Sequence, residues 1–178
     1  ERLVLQQVLE LAGMAPDPKA PVLERERRIV GFGPEVFRAA AGDLAIVRLS
    51  RSIAHADTLD GVVVGIGAEW VLMAVIDPKI VLDGLAAVRL ADVTKVRRRG
   101  GPDSFVGRAL RARGQWPPRG DATLDLDEAR GLLVSAAAAS PLVTIHIEEV
   151  RPDVCVIGRP LRVGPKVVRL LEISPEAE

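Results

Sequence analysis

A repeated pattern of short apolar runs limits most strongly what this chain can fold into. The segment GLAAVRLADV, residues 84–93, aligns without a gap with GPKVVRLLEI, residues 164–173, at an offset of 80 positions. Upstream, the apolar runs VVVGI at 62–66 and VTIHI at 143–147 stand at an offset of 81. Similarity that recurs at a fixed distance is typical of a repeated structural unit. The sequence therefore predicts two related halves, each built on a three-stranded meander.

Turn residues bound these runs, so each run is interpreted as a short strand. Asp83-Gly84, for example, is a tight-turn dipeptide between two apolar segments. Aromatic residues make up only 3% of the chain and tyrosine is absent, so the core has to be built mainly from aliphatic side chains. A meander with one buried face must curl or pair to cover that face. We therefore predict an α+β, mainly β protein with two related small antiparallel β-barrel halves.

Proline, glycine and charge divide the chain into four predicted parts. Residues 1–21 are an N-terminal helix and a proline-rich linker, and residues 22–100 are the first barrel half. Residues 101–140 form a basic, helical connector with two short helices, and residues 141–178 form the second barrel half. Within the first half, PEVFRAAAG at 34–42 predicts a further short helix, because proline is favoured at the first helical position.

The second half resembles the Sm-like fold, in which a helix precedes a strongly bent small β-barrel. The resemblance covers about 50 residues, from the helix at 124–139 onward, and rests on the order of the elements. The whole chain is also similar to uncharacterised bacterial families of Sm-like or SH3-like small β-barrels, which implies no activity. The Asp and Asn with which Sm-like proteins hold a base have no counterpart here, so no functional residue is carried over.

Two histidines and a single cysteine are the candidates for metal or catalytic chemistry. His146 and Cys155 share the stretch VTIHIEEVRPDVCVIG, and His55 lies in the turn HADTLD with Asp57 and Asp60. Zinc sites need three or four protein ligands, and aspartate is common in ordinary turns because it hydrogen-bonds to its own backbone. The glycine-rich stretches have neither a dinucleotide-binding nor a phosphate-loop pattern, and no GxSxG elbow is present. We therefore predict a non-catalytic protein with no metal and no cofactor.

The face on which Cys155 lies depends on the turn of its hairpin. A three-residue turn at 151–153 places Cys155 with Ile147, whereas a two-residue turn at 152–153 places it beside His146. The two differ because a slip of one residue reverses every side chain. The three-residue turn matches apolar to apolar residues across the strands, so we expect Cys155 to be a small buried hydrophobe.

A basic stretch, residues 95–119, is the candidate nucleic-acid-binding segment. Residues 95–120 contain eight Lys or Arg against one Asp. Basic side chains neutralise phosphates, and an exposed tryptophan stacks on bases. The candidate residues are Lys95, Arg97, Arg98, Arg99, Arg108, Arg111 and Trp116. In the helix predicted here, Phe105, Val106, Ala109 and Leu110 form the buried stripe. The alternative, which we favour, is a solvated connector whose arginines pair with the acidic segment DATLDLDE downstream.

Charge and composition also bear on membrane association and on the cellular compartment of the protein. The formal net charge is zero, so no overall field attracts the protein to nucleic acid or membrane. We expect no membrane span, because no run of 18 apolar residues occurs. A single cysteine fits the reducing cytoplasm. The chain begins with Glu1 rather than Met, which predicts that the native start lies upstream.

Open strand edges of small barrels are commonly completed by a second subunit. We therefore predict a cytoplasmic, non-catalytic binding or assembly module that is present as a homo-oligomer, and a protein partner is a further expectation. Nucleic-acid binding through residues 95–119 is the second prediction, and a metal-dependent enzyme is the third.

Overall fold

The computed structural model describes residues 3–6, 33–54, 56–120, 123–148, 151, 154–165 and 167–173. Within these ranges the chain forms nine strands and three α-helices. The strands are β1 (Leu3–Gln6), β2 (Ile46–Arg51), β3 (Leu59–Ile66), β4 (Trp70–Ile76), β5 (Leu82–Arg89), β6 (Val93–Gly100), β7 (Val143–His146), β8 (Cys155–Val163) and β9 (Val168–Glu172). The helices are α1 (Pro34–Gly42), α2 (Phe105–Ala112) and α3 (Ala129–Ala139), and Leu90–Asp92 forms one turn of 3-10 helix.

The strands lie in the order β6-β2-β3-β4-β5-β1-β7-β8-β9. The first five form one antiparallel part and the last three form a second, while β1 lies parallel to both β5 and β7 and joins the two. Neither part is closed into a barrel within the described residues, because β6 and β9 each have a strand on one side only. The predicted pair of β-barrel halves is therefore wrong.

The five-stranded part is nevertheless strongly curled. β5 and β6 stand at opposite ends of its strand order, yet only the turn Leu90–Asp92 separates them along the chain. The Leu90 N–H donates to the Glu69 carbonyl at 2.8 Å, and the Ser52 N–H donates to the Asp92 carbonyl at 2.8 Å. Closing a barrel would require β5 to pair with β6. In this structure the free edge of β5 pairs with β1 instead, which extends the sheet rather than closing it.

The turn at Leu90–Asp92 also overturns the predicted equivalence of the two halves. The segment 84–93 runs through most of β5, the 3-10 turn and the first residue of β6, whereas residues 168–172 form one continuous strand at the edge of the sheet. The two parts share a simple up-and-down strand order, but their matching sequences do not occupy matching structures.

The predicted N-terminal helix is wrong where the structure describes it. Residues 3–6 are strand β1, and the rest of the predicted helix lies outside the described residues. β1 has a parallel neighbour on each side, and strands in that position are typically short continuous apolar runs. Such a run cannot be distinguished from a buried helical segment by periodicity alone.

The helices cover the sheet and divide the core into three clusters. Phe37 of α1 packs on one face of β2 to β5, with Val63, Val71 and Met73 among its neighbours. α3 covers the opposite face of β4, β5 and β7 through Leu132, Leu133 and Ala136, packed with Trp70 and Leu72. α2 contributes Leu110 to a smaller cluster with Ile46, Val62 and Ile76. No helix among the described residues has the length and apolar character needed to cross a membrane.

Candidate functional site

The hairpin of β7 and β8 adopts a different register from the one that we predicted. His146 lies directly opposite Cys155, and Ile145 lies opposite Val156. Cys155 is therefore on the same face as His146, and it is exposed. The prediction of a buried Cys155 is wrong. β7 ends at His146, and among the described residues after it the Arg151 N–H donates to the Ile147 carbonyl at 2.9 Å.

The candidate metal ligands do not come together in the described part of the chain. His146 and Cys155 are two potential ligands, and no group of three or more His, Cys, Asp or Glu with metal-binding geometry occurs among the described residues. His55 lies outside those residues. Of its two acidic neighbours, Asp60 is paired with Arg48, and the carbonyl of Asp57 accepts a hydrogen bond from Arg51 at 3.1 Å.

The basic residues of β6 divide between the two faces of the sheet. Arg97 lies opposite Arg48 and Lys95 opposite Ser50, which places both on one face. Arg98 lies opposite Val47 on the other face, where its guanidinium bonds the Asp43 carboxylate at 2.8 Å. Both partners of that ion pair are more than half exposed, so it contributes at most about 1 kcal/mol. We call these four residues, Lys95, Arg97, Arg98 and Arg99, the basic edge.

The other predicted nucleic-acid-binding residues lie on α2 and in the segment after it. Arg108 and Arg111 are exposed on α2, and Arg108 donates to the Asp103 carbonyl at 2.6 Å. Trp116 is half-buried against the small cluster of Leu110 rather than presented to solvent. Phe105, which we expected in the buried stripe, is 68% exposed.

A pocket of about 430 Å³ lies beside β6, and we call it the β6 pocket. Its walls come from β2, β3, β4, β6, the turn after β4, and α2. The lining residues are Ile46, Arg48, Thr58, Asp60, Ile76, Asp77, Pro78, Ile80, Arg99 and Val106. It combines an apolar side made of core residues with a polar side that carries two guanidinium and two carboxylate groups.

An ion pair between Arg48 and Asp60 forms part of the pocket wall. The two residues lie opposite each other on β2 and β3, and the Arg48 Nε and Nη2 atoms donate to the two Asp60 oxygens at 2.7 and 2.5 Å. The hydrogen bond to Asp60 and the negative charge of that carboxylate raise the pKa of Arg48 above its usual value. Arg48 therefore stays protonated, and its charge also offsets the neighbouring carboxylate.

A second ion pair, Arg51 with Glu148, is buried and joins distant parts of the chain. The side chains are 1% and 9% exposed, and the residues are 97 positions apart. The Arg51 Nη1 atom bonds Oε2 of Glu148, and its Nη2 atom bonds Oε1 at 3.1 Å. This contact joins the end of β2 to the second residue after β7, and no local sequence pattern indicates it.

The three-stranded part leaves an apolar surface open. Three apolar side chains, Ile157, Leu171 and Ile173, lie on one face of β8 and β9, since Arg159 pairs with Leu171 and the Ile173 N–H donates to the Ile157 carbonyl at 2.9 Å. Cys155, Arg159 and Arg169 lie on the same face, and all three are exposed. Ile157, Leu171 and Ile173 are 36%, 57% and 44% exposed. The opposite face, with Val163, Val168 and Leu170, packs on the α3 cluster. Cys155, Ile157, Leu171 and Ile173, together with the edge of β9 that pairs with no described strand, are called the β9 surface.

No protein-family model, curated protein or solved structure matches this chain. Its function is therefore inferred from three surfaces of its own: the basic edge, the β6 pocket and the β9 surface.

Proposed function

We propose that this protein is a non-catalytic assembly module and that its occupant at the β9 surface is a second copy of the same chain. The observation that carries the proposal is the difference between the two edges of the sheet. One edge is the charged strand β6 and the other is the apolar strand β9. An unpaired strand offers a row of backbone N–H and C=O groups to another chain.

The two edges differ in how well they admit such a partner. Lys95, Arg97, Arg98 and Arg99 line β6, and lysine-rich or arginine-rich edges discourage strand pairing because like charges would meet. β9 itself has one basic and one acidic residue, Arg169 and Glu172, although the face that carries Leu171 also holds Arg159 and Arg169. Strand addition at β9 therefore meets less electrostatic opposition than addition at β6, where four basic residues stand on one strand with no acidic residue.

Burial of the β9 surface also supplies the driving force. Complete burial of one Leu or Ile side chain stabilises by about 1.5–3 kcal/mol, and these side chains are already partly buried. In a two-fold dimer both copies contribute the same surface, so each of these side chains is buried once in each protomer. The formal net charge of zero adds no general repulsion between protomers.

Replacing Leu171 by Lys is expected to dissociate the assembly. The substitution puts two like charges into the centre of a symmetric contact while leaving the monomer core unchanged, since Leu171 faces solvent. Sedimentation velocity at tens of micromolar should show a dimer or larger assembly for the wild-type chain and a monomer for Leu171→Lys. Val134→Lys is the matched control, because Val134 is 50% exposed on α3 and lies outside the β9 surface.

A wild-type chain that sediments as a monomer at these concentrations contradicts the proposed assembly. A dimer that survives Leu171→Lys but dissociates in Val134→Lys would place the contact on α3 instead.

The second candidate function is binding of single-stranded nucleic acid by the basic edge. Its support is that Lys95, Arg97 and Arg99 are all exposed along one strand. Against it, Arg98 faces away from Arg97 and Trp116 is packed in a core cluster. We expect no binding tighter than nonspecific at physiological salt. A fluorescence titration at two salt concentrations tests this expectation. A steep salt dependence that flattens when Arg97, Arg98 and Arg99 are replaced together would establish the nucleic-acid function.

A further inference from the structure

The two arginines of the β6 pocket retain unused hydrogen-bond donors. Arg99 makes no hydrogen bond or ion pair with any described residue and is exposed. Arg48 donates its Nε–H and one Nη2–H to Asp60, which leaves three of the five N–H groups of its guanidinium available. A planar guanidinium binds carboxylate or phosphate oxygens with high geometric specificity.

A β-bulge places Arg99 at the pocket. Ile46 pairs with Gly100 and Val47 pairs with Arg98, so Arg99 is the extra residue between two ladder pairs. Bulges of this kind redirect one side chain and are frequent next to functional sites. The strand that carries the basic edge thus directs only Arg99 into the pocket, while its neighbour Arg98 turns to the other face.

The two carboxylates of the pocket, Asp60 and Asp77, differ in how far they are available as acceptors for the remaining N–H groups of Arg48 and Arg99. Asp60 is already neutralised by Arg48. Asp77 closes the turn after β4, where its Oδ1 atom accepts the Lys79 N–H. Once Arg48 and Asp60 neutralise each other, Arg99, which has no partner among the described residues, faces Asp77, whose Oδ1 atom already accepts the Lys79 N–H. The guanidinium of Arg48 keeps three N–H groups for a further hydrogen bond. The polar side of the pocket is suited to an anionic group.

The rest of the pocket is suited to hydrocarbon. Ile46 and Ile76 are core residues whose pocket-facing atoms remain in contact with the cavity, and Ile80 and Val106 extend this wall. Ile80 has a φ of 58°, a left-handed conformation that is rare for a β-branched residue and is held by an Ile80 N–H to Asp77 carbonyl hydrogen bond of 2.8 Å. Strained backbone that the surroundings maintain is most often found at functional sites. The volume of about 430 Å³ lies in the range of small-molecule pockets.

We propose that the β6 pocket binds a small amphipathic anion, with a carboxylate or phosphate head group on Arg99 and Arg48 and an apolar body against Ile46, Ile76 and Ile80. This site is separate from the β9 surface. Leu171→Lys protein should therefore bind the anion as tightly as the wild-type chain does, and failure of the assembly proposal leaves this one standing.

Octanoate and octyl phosphate are suitable probes, measured with the full chain by isothermal titration calorimetry. We expect at least one of them to bind, and the tighter of the two identifies the head group. Arg99→Gln should weaken binding about 10- to 100-fold, because a charge-assisted hydrogen bond is lost. Arg98→Gln is the matched control and should leave the affinity unchanged. Asp77→Asn should strengthen binding, since it removes the remaining negative charge of the pocket while keeping the Oδ1 acceptor.

Three results would overturn the proposal. Octanol binding as tightly as both anions would remove the role of the arginines, and inorganic phosphate binding as tightly as octyl phosphate would remove the role of the apolar wall. Failure of both amphipathic anions to bind at millimolar concentration would exclude the site.

Discussion

Arg51→Met is expected to lower the free energy of unfolding by about 3–5 kcal/mol, because it leaves the Glu148 carboxylate buried without its partner. Arg51 donates through two nitrogens to that carboxylate and also bonds the Asp57 carbonyl, so one substitution removes three hydrogen bonds. Denaturant unfolding followed by circular dichroism measures the change. A shift in the midpoint with an unchanged m-value would show that the native state itself has been destabilised.

The companion variants separate the cost of the unpaired charge from the value of the pair. Arg51→Met combined with Glu148→Leu should recover most of the lost stability, since replacing both members of a buried ion pair by apolar residues is often neutral or stabilising. Arg98→Met is the exposed control and should cost less than about 1 kcal/mol, because the Arg98–Asp43 pair is open to water. A loss below about 1 kcal/mol for Arg51→Met would mean that this contact does not hold the sheet together.

Phe37→Ala is expected to destabilise the protein by about 3–5 kcal/mol, the usual cost of truncating a fully buried aromatic side chain. Phe37 is 0% exposed and fills the space between α1 and the sheet, against Val63, Val71 and Met73. The core is poor in aromatic residues, so few other large side chains can move into the cavity. Denaturant unfolding again gives the difference in free energy.

Val36→Ala provides the control within the same helix. Val36 is 36% exposed and one position away from Phe37, and its truncation should change stability by no more than about 0.5 kcal/mol. Equal effects of the two substitutions would show that α1 is stabilised by its own helical propensity rather than by packing on the sheet.

Both proposed surfaces use the ends of one sheet for different purposes. The β6 pocket lies beside the charged end, where arginines discourage strand addition and, in the proposal above, donate hydrogen bonds to a small anion. The β9 surface lies at the other end, where apolar side chains and a free strand edge suit a second copy. If both proposals hold, a dimer formed at β9 presents two separate ligand pockets.

Local sequence signals predicted several elements accurately. PEVFRAAAG forms α1 over Pro34–Gly42, the predicted bounds, since proline at the first position and glycine at the last act within the helix itself. The two helices predicted in the connector are α2 and α3, and the three strands predicted after residue 141 are β7, β8 and β9. The predicted basic residues of β6 and α2 are exposed, as expected of long charged side chains.

Tertiary structure decided the features that depend on which strands meet. Residues 3–6 became a strand because β5 and β7 both offer edges to them, and the curled sheet remained open for the same reason. The register of β7 with β8 placed Cys155 opposite His146, while Ile145 and Ile147 pack on the α3 cluster.

Sequence patterns also could not have predicted the β6 pocket or the buried Arg51–Glu148 ion pair. The β6 pocket depends on a bulge that directs Arg99 toward residues of β2, β3 and β4, and the Arg51–Glu148 pair joins positions 97 residues apart. Helix ends and turns are determined by interactions between near neighbours in the chain, so they can be predicted from the sequence directly. Strand partners and buried ion pairs are determined by which of many distant segments bury their surfaces best together, and only the folded chain selects among them.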